Sequence, residues 1–247
     1  MYRQYQDTIR NCLSNDALFN TFKAMSNYTA ITEHVSPKLG LEYLKYIGTE
    51  FYLTADEIMA YCNKNDRLGN PTIITYTNEI KCSPSSLRYI YHALLVLNHM
   101  KTLGLNNVSV VELGCAYGGL CLAVDHYSRR FGITIKHYSL IDLEEASLLE
   151  KKYLSYHTLS YPCSFHVSNN YGKDIFETNL FFISNYCFSE IGPENQKYYM
   201  EHLLPKCSHG FIAWNDVPYF DIGKHITIEE ERPQTDLVTA KNRFVRF

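Results

Sequence analysis

The chain has no apolar run approaching the roughly 18 to 20 residues that span a bilayer. It opens on the polar "MYRQYQDTIR". The expectation is a soluble, cytoplasmic protein with no membrane partner. Long runs of one charge are also missing. The 23 basic and 26 acidic residues, net charge −3, are interspersed, so the electrostatic footprint of a phosphate backbone is absent and nucleic acid is not an expected partner. The eight cysteines include no CxxC pair, and several lie in apolar contexts such as "SNYCFSE" and "GGLCLAV". That pattern excludes a disulfide scaffold and fits buried, reduced thiols. Internal repeats and low-complexity linkers are lacking, so any boundary must come from pattern. What is present, 247 residues that are 46% hydrophobic and 20% charged, suffices for one large core or a core with a smaller lobe.

The pattern changes style near residue 105. Before it the chain reads as helices joined by polar loops. "TADEIMAYCNKN" opens with Thr54 and places Glu57 three residues on, a capping box. "SPSSLRYIYHALLVLNHMKTLG" sets Pro84 inside a Ser83 cap, carries Leu87, Ile90, Tyr91 and Leu94 on one face, and stops at Gly104. After residue 105, strands and helices alternate: a strand at 108–113, a helix at 119–131, the strand "ITIKHYSLID", a helix through "EEASLLEKKYLSYH", and "SFHV". The doubly apolar "LFFISNY", a helix at 194–204, "GFIAWN", "HITIEEE" and "RFVRF" follow. The expected fold is α/β, a doubly wound Rossmann-like sheet with an N-terminal helical extension. Its parts are a mainly helical cap over 1–104 and a catalytic domain over 105–247.

The stretch "VSVVELGCAYGG" ends an apolar strand on Glu112 and then spends three glycines in six residues. Gly114 permits a sharp strand-to-helix turn; Gly118 and Gly119 remove side chains where a ligand meets backbone and where the helix packs on the sheet. A tight turn without a ligand is the plain alternative. A dinucleotide site is the sharper rival, but its glycine spacing differs and it asks for no acid inside the strand end. An acid there suits a cationic ligand group. S-Adenosylmethionine carries one, its α-ammonium, beside a ribose that suits a carboxylate at the end of the second strand, where Asp142 stands. Capping the following helix is a second, compatible use of Asp142.

Five segments in order, "GNP" at 69–71, "SPSSLRYI", "VVELGCAYGGL", "YSLIDLEEASLLEKKYL" and "FFISNYCFSEI", resemble the sugar O-methyltransferase branch of the class I S-adenosylmethionine-dependent methyltransferases. The resemblance covers residues 69–215. It implies that Glu112, Gly114 and Gly118, with Ala116, Tyr117 and Leu143 beside them, hold the cofactor's methionine and adenosine portions, and that Asp142 binds the ribose. The implied acceptor is a sugar, free, nucleotide-linked or within a glycan. Residues 1–68 carry no matching motif.

Methyl transfer from a sulfonium is an in-line displacement, and a sugar hydroxyl needs a positioned base. Glu190, just past "FFISNY", is the first candidate, an acid at a helix start being its plain reading. His225, in the loop before "ITIEEE", is the second. Arg88, Tyr89, Asn185, Asn215 and Asp216 are candidate acceptor contacts, an arginine matching a carboxylate or phosphate in a bidentate way. The rivals lose ground on particular residues. A base-modifying amino methyltransferase would show prolines where Asn185-Tyr186-Cys187-Phe188 stands, and a metal-dependent enzyme would need more carboxylates than Asp216 and Asp221, so no metal is expected. A cofactor-binding homologue without turnover is the non-enzymatic alternative.

Overall fold

The structure, a computed structural model, describes residues 2–234 and 241–247. Six helices precede the main sheet: α1 (Tyr2–Ser14), α2 (Asp16–Phe19), α3 (Ser26–Thr29), α4 (Pro37–Phe51), α5 (Ala55–Asn65) and α6 (Pro84–Thr102). A two-residue ladder, β1 (Ile74–Thr75) with β2 (Lys81–Cys82), lies before α6. The expected caps are in place. Thr54 and Glu57 form the reciprocal capping box of α5, and Ser83 accepts the Ser86 N–H with Pro84 at the first turn of α6.

The second part alternates as its pattern requires: β3 (Asn107–Leu113), α7 (Gly119–Ser128), β4 (Thr134–Asp142), α8 (Glu144–Leu154), β5 (Cys163–Val167), β6 (Leu180–Asn185), α9 (Cys187–Glu190), α10 (Pro193–His202), β7 (Cys207–Trp214), β8 (Thr227–Glu230) and β9 (Arg243–Arg246). The seven strands lie in the order β5-β4-β3-β6-β7-β9-β8. β3 to β7 are parallel; β9 pairs antiparallel with both β7 and β8. β8 therefore runs in the direction of the parallel strands.

Successive side chains on each strand enter opposite layers, which explains why the central strands read as continuous apolar runs. Val110, Tyr138, Phe181 and Phe211 join a cluster with α4 to α8 and the N-terminal helices; Val111, Ile141, Phe182 and Ile212 join one with α9, α10 and Trp214. Residues before 105 thus share one core with the sheet. All eight cysteines are free thiols. No helix among the described residues is long and apolar enough to cross a membrane.

The strand order reverses between β3 and β6, and the carboxyl ends of β3, β4, β6 and β7 open there. Crevices of doubly wound sheets lie at this kind of switch point.

Candidate active site

Next to the last residue of β3 stands Glu112, only 2% exposed, whose Oε2 accepts the Tyr138 hydroxyl at 2.7 Å from the adjacent strand. Burial, reinforced by Asp142, pushes its carboxyl up to about 8, with Tyr138 acting the other way. The chain then turns sharply. Gly114 has φ +81°, and a Cβ there would collide with Cys187 at the start of α9. Gly118, at φ +90°, caps α7 in the left-handed region and packs on Leu154. The turn is tied down from β4. Asp142 Oδ2 accepts the Ala116 N–H at 2.9 Å, and Oδ1 accepts the Leu143 N–H at 2.7 Å. Asp142 therefore does not cap α8, whose N-terminus has no side-chain cap; it fastens the glycine turn instead.

Two expected contacts turn their side chains into the core beside the turn. Tyr117 is fully buried, its hydroxyl accepting from Asn65 Nδ2 at 3.1 Å and its ring packed on Tyr153, with the Lys23 ammonium 4.1 Å from its centroid. Only its backbone belongs to the turn. Tyr89 is buried against Gly119 and Tyr117. Both are core aromatics of the helical layer, where a long apolar face around α6 draws them in.

Beyond β6 and β7 the structure brings Glu190, Asn215 and Asp216 together. Asn215 donates from Nδ2 to Glu190 and accepts from the Ser189 hydroxyl, so its amide latches the end of β7 to α9. Glu190 and Asp216 are exposed at the rim. Desolvation, and then the Asp216 charge, raises the Glu190 pKa.

His225 is a correction. It precedes β8, which runs with the parallel strands, so it lies at the amino edge of the sheet; the neighbouring Lys224 ammonium bonds the carbonyl of Cys207, the first residue of β7, at 2.7 Å. The carboxyl ends are at the opposite edge, and His225 cannot serve a site there.

A residue that sequence reasoning missed occupies the correct end of that strand. Glu231 follows β8 and is fully buried, accepting the Tyr186 hydroxyl. His92 Nε2 stands 3.7 Å from its Oε1. Arg88 donates to the Thr32 carbonyl at 3.0 Å and lies 5.9 Å from the Tyr186 ring centroid. Glu231 Oε2, both His92 ring nitrogens, Asn185 Oδ1 and the Tyr43 hydroxyl are buried with no hydrogen-bond partner among the described residues. Burial holds His92 down to about 3 and pushes Glu231 up to about 7. His92 is one turn beyond Arg88 on α6, a spacing that puts both on one face; Glu231 carries no comparable local signal.

A second missed acid is Glu150 on α8, fully buried. Cys115, Asp142 and Glu150 bring their side-chain ligand atoms within 4.8 Å of one another. A cleft of about 360 Å³ lined by Lys64, Asp125, His126 and Arg129 lies at the far end of α7, away from these groups.

No protein-family model matches the chain, nor does any curated protein. Among solved structures it is similar to the methyltransferase domain of bacterial CtHen1, with 10% identity over 63% of this chain and 96% of that one, TM-score 0.47. It is similar to TrmK of M. capricolum, solved with the cofactor product S-adenosyl-homocysteine, with 12% identity over 61% and 66% of the chains, TM-score 0.39. It is also similar to CalS10, an amino pentose methyltransferase from Micromonospora echinaspora, with 12% identity over 58% of each chain, TM-score 0.40. Likeness at this distance leaves ligand and activity to be argued from the residues of the chain itself.

Proposed function

We propose that the chain binds S-adenosylmethionine at the carboxyl edge of its sheet and methylates a hydroxyl of a sugar. The observation that carries this reading is the junction of β3 and β4: a desolvated acid, Glu112, at a strand end, followed by a glycine turn fastened through Ala116 N–H to Asp142. A carboxyl held at about 8 by burial gains most from a cation placed beside it, which suits an α-ammonium. Asp142 is partly exposed and suits a ribose hydroxyl. Gly114 and Gly118 supply the left-handed backbone that turns the chain between strand and helix, and Leu143 would lie beside the adenosine portion.

S-Adenosylmethionine, when bound, supplies an electrophilic methyl group. The chain must orient the acceptor oxygen in line with it, exclude water and take one proton. Arg88, His92, Asn185, Tyr186 and Glu231 put hydrogen-bonding groups at the same edge, which supports an acceptor rich in hydroxyls. Asp216 lies at the rim beside them. Glu190 is the base the sequence favours. Glu231 behind Tyr186 is the second reading, favoured by its burial and its hydroxyl partner.

Thermal unfolding with added ligands tests the proposal. S-Adenosylmethionine or S-adenosylhomocysteine is expected to raise the melting temperature and NAD is not, because a ligand of the native state stabilises by mass action. Stabilisation by NAD alone would refute the assignment of Glu112. Asp142→Ala is expected to weaken S-adenosylhomocysteine binding by about 1.5 to 3 kcal/mol, read by calorimetry. Release of S-adenosylhomocysteine with a panel of sugars, nucleotide sugars and non-sugar alcohols then identifies the acceptor class.

A further inference from the structure

α8 packs Ala146, Leu149, Tyr153 and Leu154 into the core, and Glu150 lies among them, fully buried. No N–H or O–H donor among the described residues reaches either of its carboxyl oxygens. The group that does approach it is another carboxyl: Glu150 and Asp142 bring carboxyl oxygens within 4.8 Å of one another. Two carboxyl groups this close, with one fully buried and no cation beside them, cannot both be charged, so one of them holds a proton.

The surroundings decide which. Glu150 faces Asp142 at the end of β4, Glu112 on β3, Cys115 in the glycine turn, Cys163 on β5 and Tyr5 on α1, and none of these carries a positive charge. Asp142 already accepts two backbone N–H groups, which stabilises its anion. Burial, with Asp142 and Glu112 adding to it, pushes the Glu150 carboxyl well above the ordinary range. The proton belongs to Glu150.

We infer that Glu150 is a positioning residue for the cofactor: its carboxyl O–H, donated to Asp142, fixes the orientation in which the Asp142 carboxylate accepts a ribose hydroxyl. This rests on the reading of Asp142 as the ribose ligand. Ala116 and Leu143 donate to the Asp142 carboxylate, and its remaining acceptor capacity serves the Glu150 proton and a ligand hydroxyl. A metal suits the same trio poorly, because metal ligands must be deprotonated. Burial raises the Cys115 thiol well above its ordinary value, and Sγ donates to the Glu112 carbonyl at 3.2 Å.

The test is calorimetric binding of S-adenosylhomocysteine between about pH 6 and 9.5 to the wild type, Glu150→Gln and Glu150→Leu. Glutamine still donates to Asp142 and cannot titrate, so its affinity should stay within about threefold of wild type. Leucine removes the donor and should bind about tenfold more weakly throughout. Titration of the ligand's own amine and of Glu112 is common to all three proteins and cancels. Affinity lost in Glu150→Gln as fully as in Glu150→Leu, or wild-type affinity in Glu150→Leu, would overturn the inference. Absence of S-adenosylhomocysteine binding to the wild type would instead overturn the cofactor reading on which it rests. Stabilisation by zinc chloride alone, lost in Glu150→Gln, would replace the proton with a metal ion.

Discussion

A single carboxyl, Glu112, shows how burial becomes a binding signal. Its pKa of about 8 leaves it protonated near neutrality while ligand-free. An ammonium group beside it favours the charged form and lowers that pKa, so binding must expel a proton. Titration of S-adenosylhomocysteine at pH 7 in buffers of different ionisation enthalpy is expected to show release of close to one proton. Affinity should tighten as pH rises toward 8, where less work is needed to ionise the acid. In Glu112→Gln the release and this pH dependence should both vanish. Equal heats in all buffers for the wild type would mean that Glu112 does not meet the ligand's cation. The sequence exposed this residue because an acid ending an apolar strand is a local anomaly. Glu150 was equally local, an acid on the buried stripe of an amphipathic helix, and could have been found by asking which face of α8 it occupies.

At the scale of elements, the sheet was legible because buried parallel strands are short apolar runs between glycine turns and capped helices. Direction was not legible for the last hairpin. Whether "HITIEEE" presents its first or last residue to the site depends on β9 inserting antiparallel between β7 and β8, a non-local pairing that no window of sequence contains. Glu231 is six residue steps beyond His225, roughly 20 Å of extended chain at about 3.3 Å per residue, and this distance decides which can act. With an acceptor from the panel, His225→Asn is therefore expected to keep wild-type turnover. If Glu231 takes the proton through Tyr186, Glu231→Gln and Tyr186→Phe should each lower kcat by about 100-fold or more with cofactor affinity retained. If Glu190 is the base, Glu190→Gln should carry that loss instead. The pH profile separates a base from a structural role: only loss of the true base removes the rising limb of kcat. A large loss in His225→Asn would contradict the direction of β8. The N-terminal helices were the least legible elements. α1 docks on α8 through Gln6 and Arg10 to Glu145 and brings Tyr2 toward Glu190 and Asp142, contacts between residues more than a hundred positions apart.

For the molecule as a whole, the site sets a conflict between ligand readiness and stability. Glu112 and Glu231 have folded-state pKa values of about 8 and about 7, raised first by burial, and burial raises Glu150 well above its ordinary value too. In the unfolded chain each returns to the ordinary glutamate range near 4.3. Acids raised in this way favour the fold fully below that range, and the contribution is lost as pH climbs through the folded values, because the native state must then ionise buried groups that the unfolded chain has long ionised. Buried His92, at about 3, and His34, His99 and His157, at about 4, act in the opposite sense. Their contribution is present above the unfolded value of about 6.5 and is lost on acidification below it. Between about pH 7.5 and 8 the histidines are close to neutral in both states, and the acids, with a smaller part from the buried thiols, set the slope. The ligand-free protein is expected to lose stability across that window, by at most about 1.4 kcal/mol per pH unit for each retained proton. Denaturant unfolding at closely spaced points from about pH 7.5 to 8 measures the slope. It should shrink in Glu112→Gln and again in the double variant with Glu231→Gln, and it should also shrink for the wild type when saturated with S-adenosylhomocysteine, whose ammonium ionises Glu112 within the fold. A flat or rising stability in the ligand-free wild type would show that these buried acids are already charged, and the cation-binding role of Glu112 would lose its physical basis.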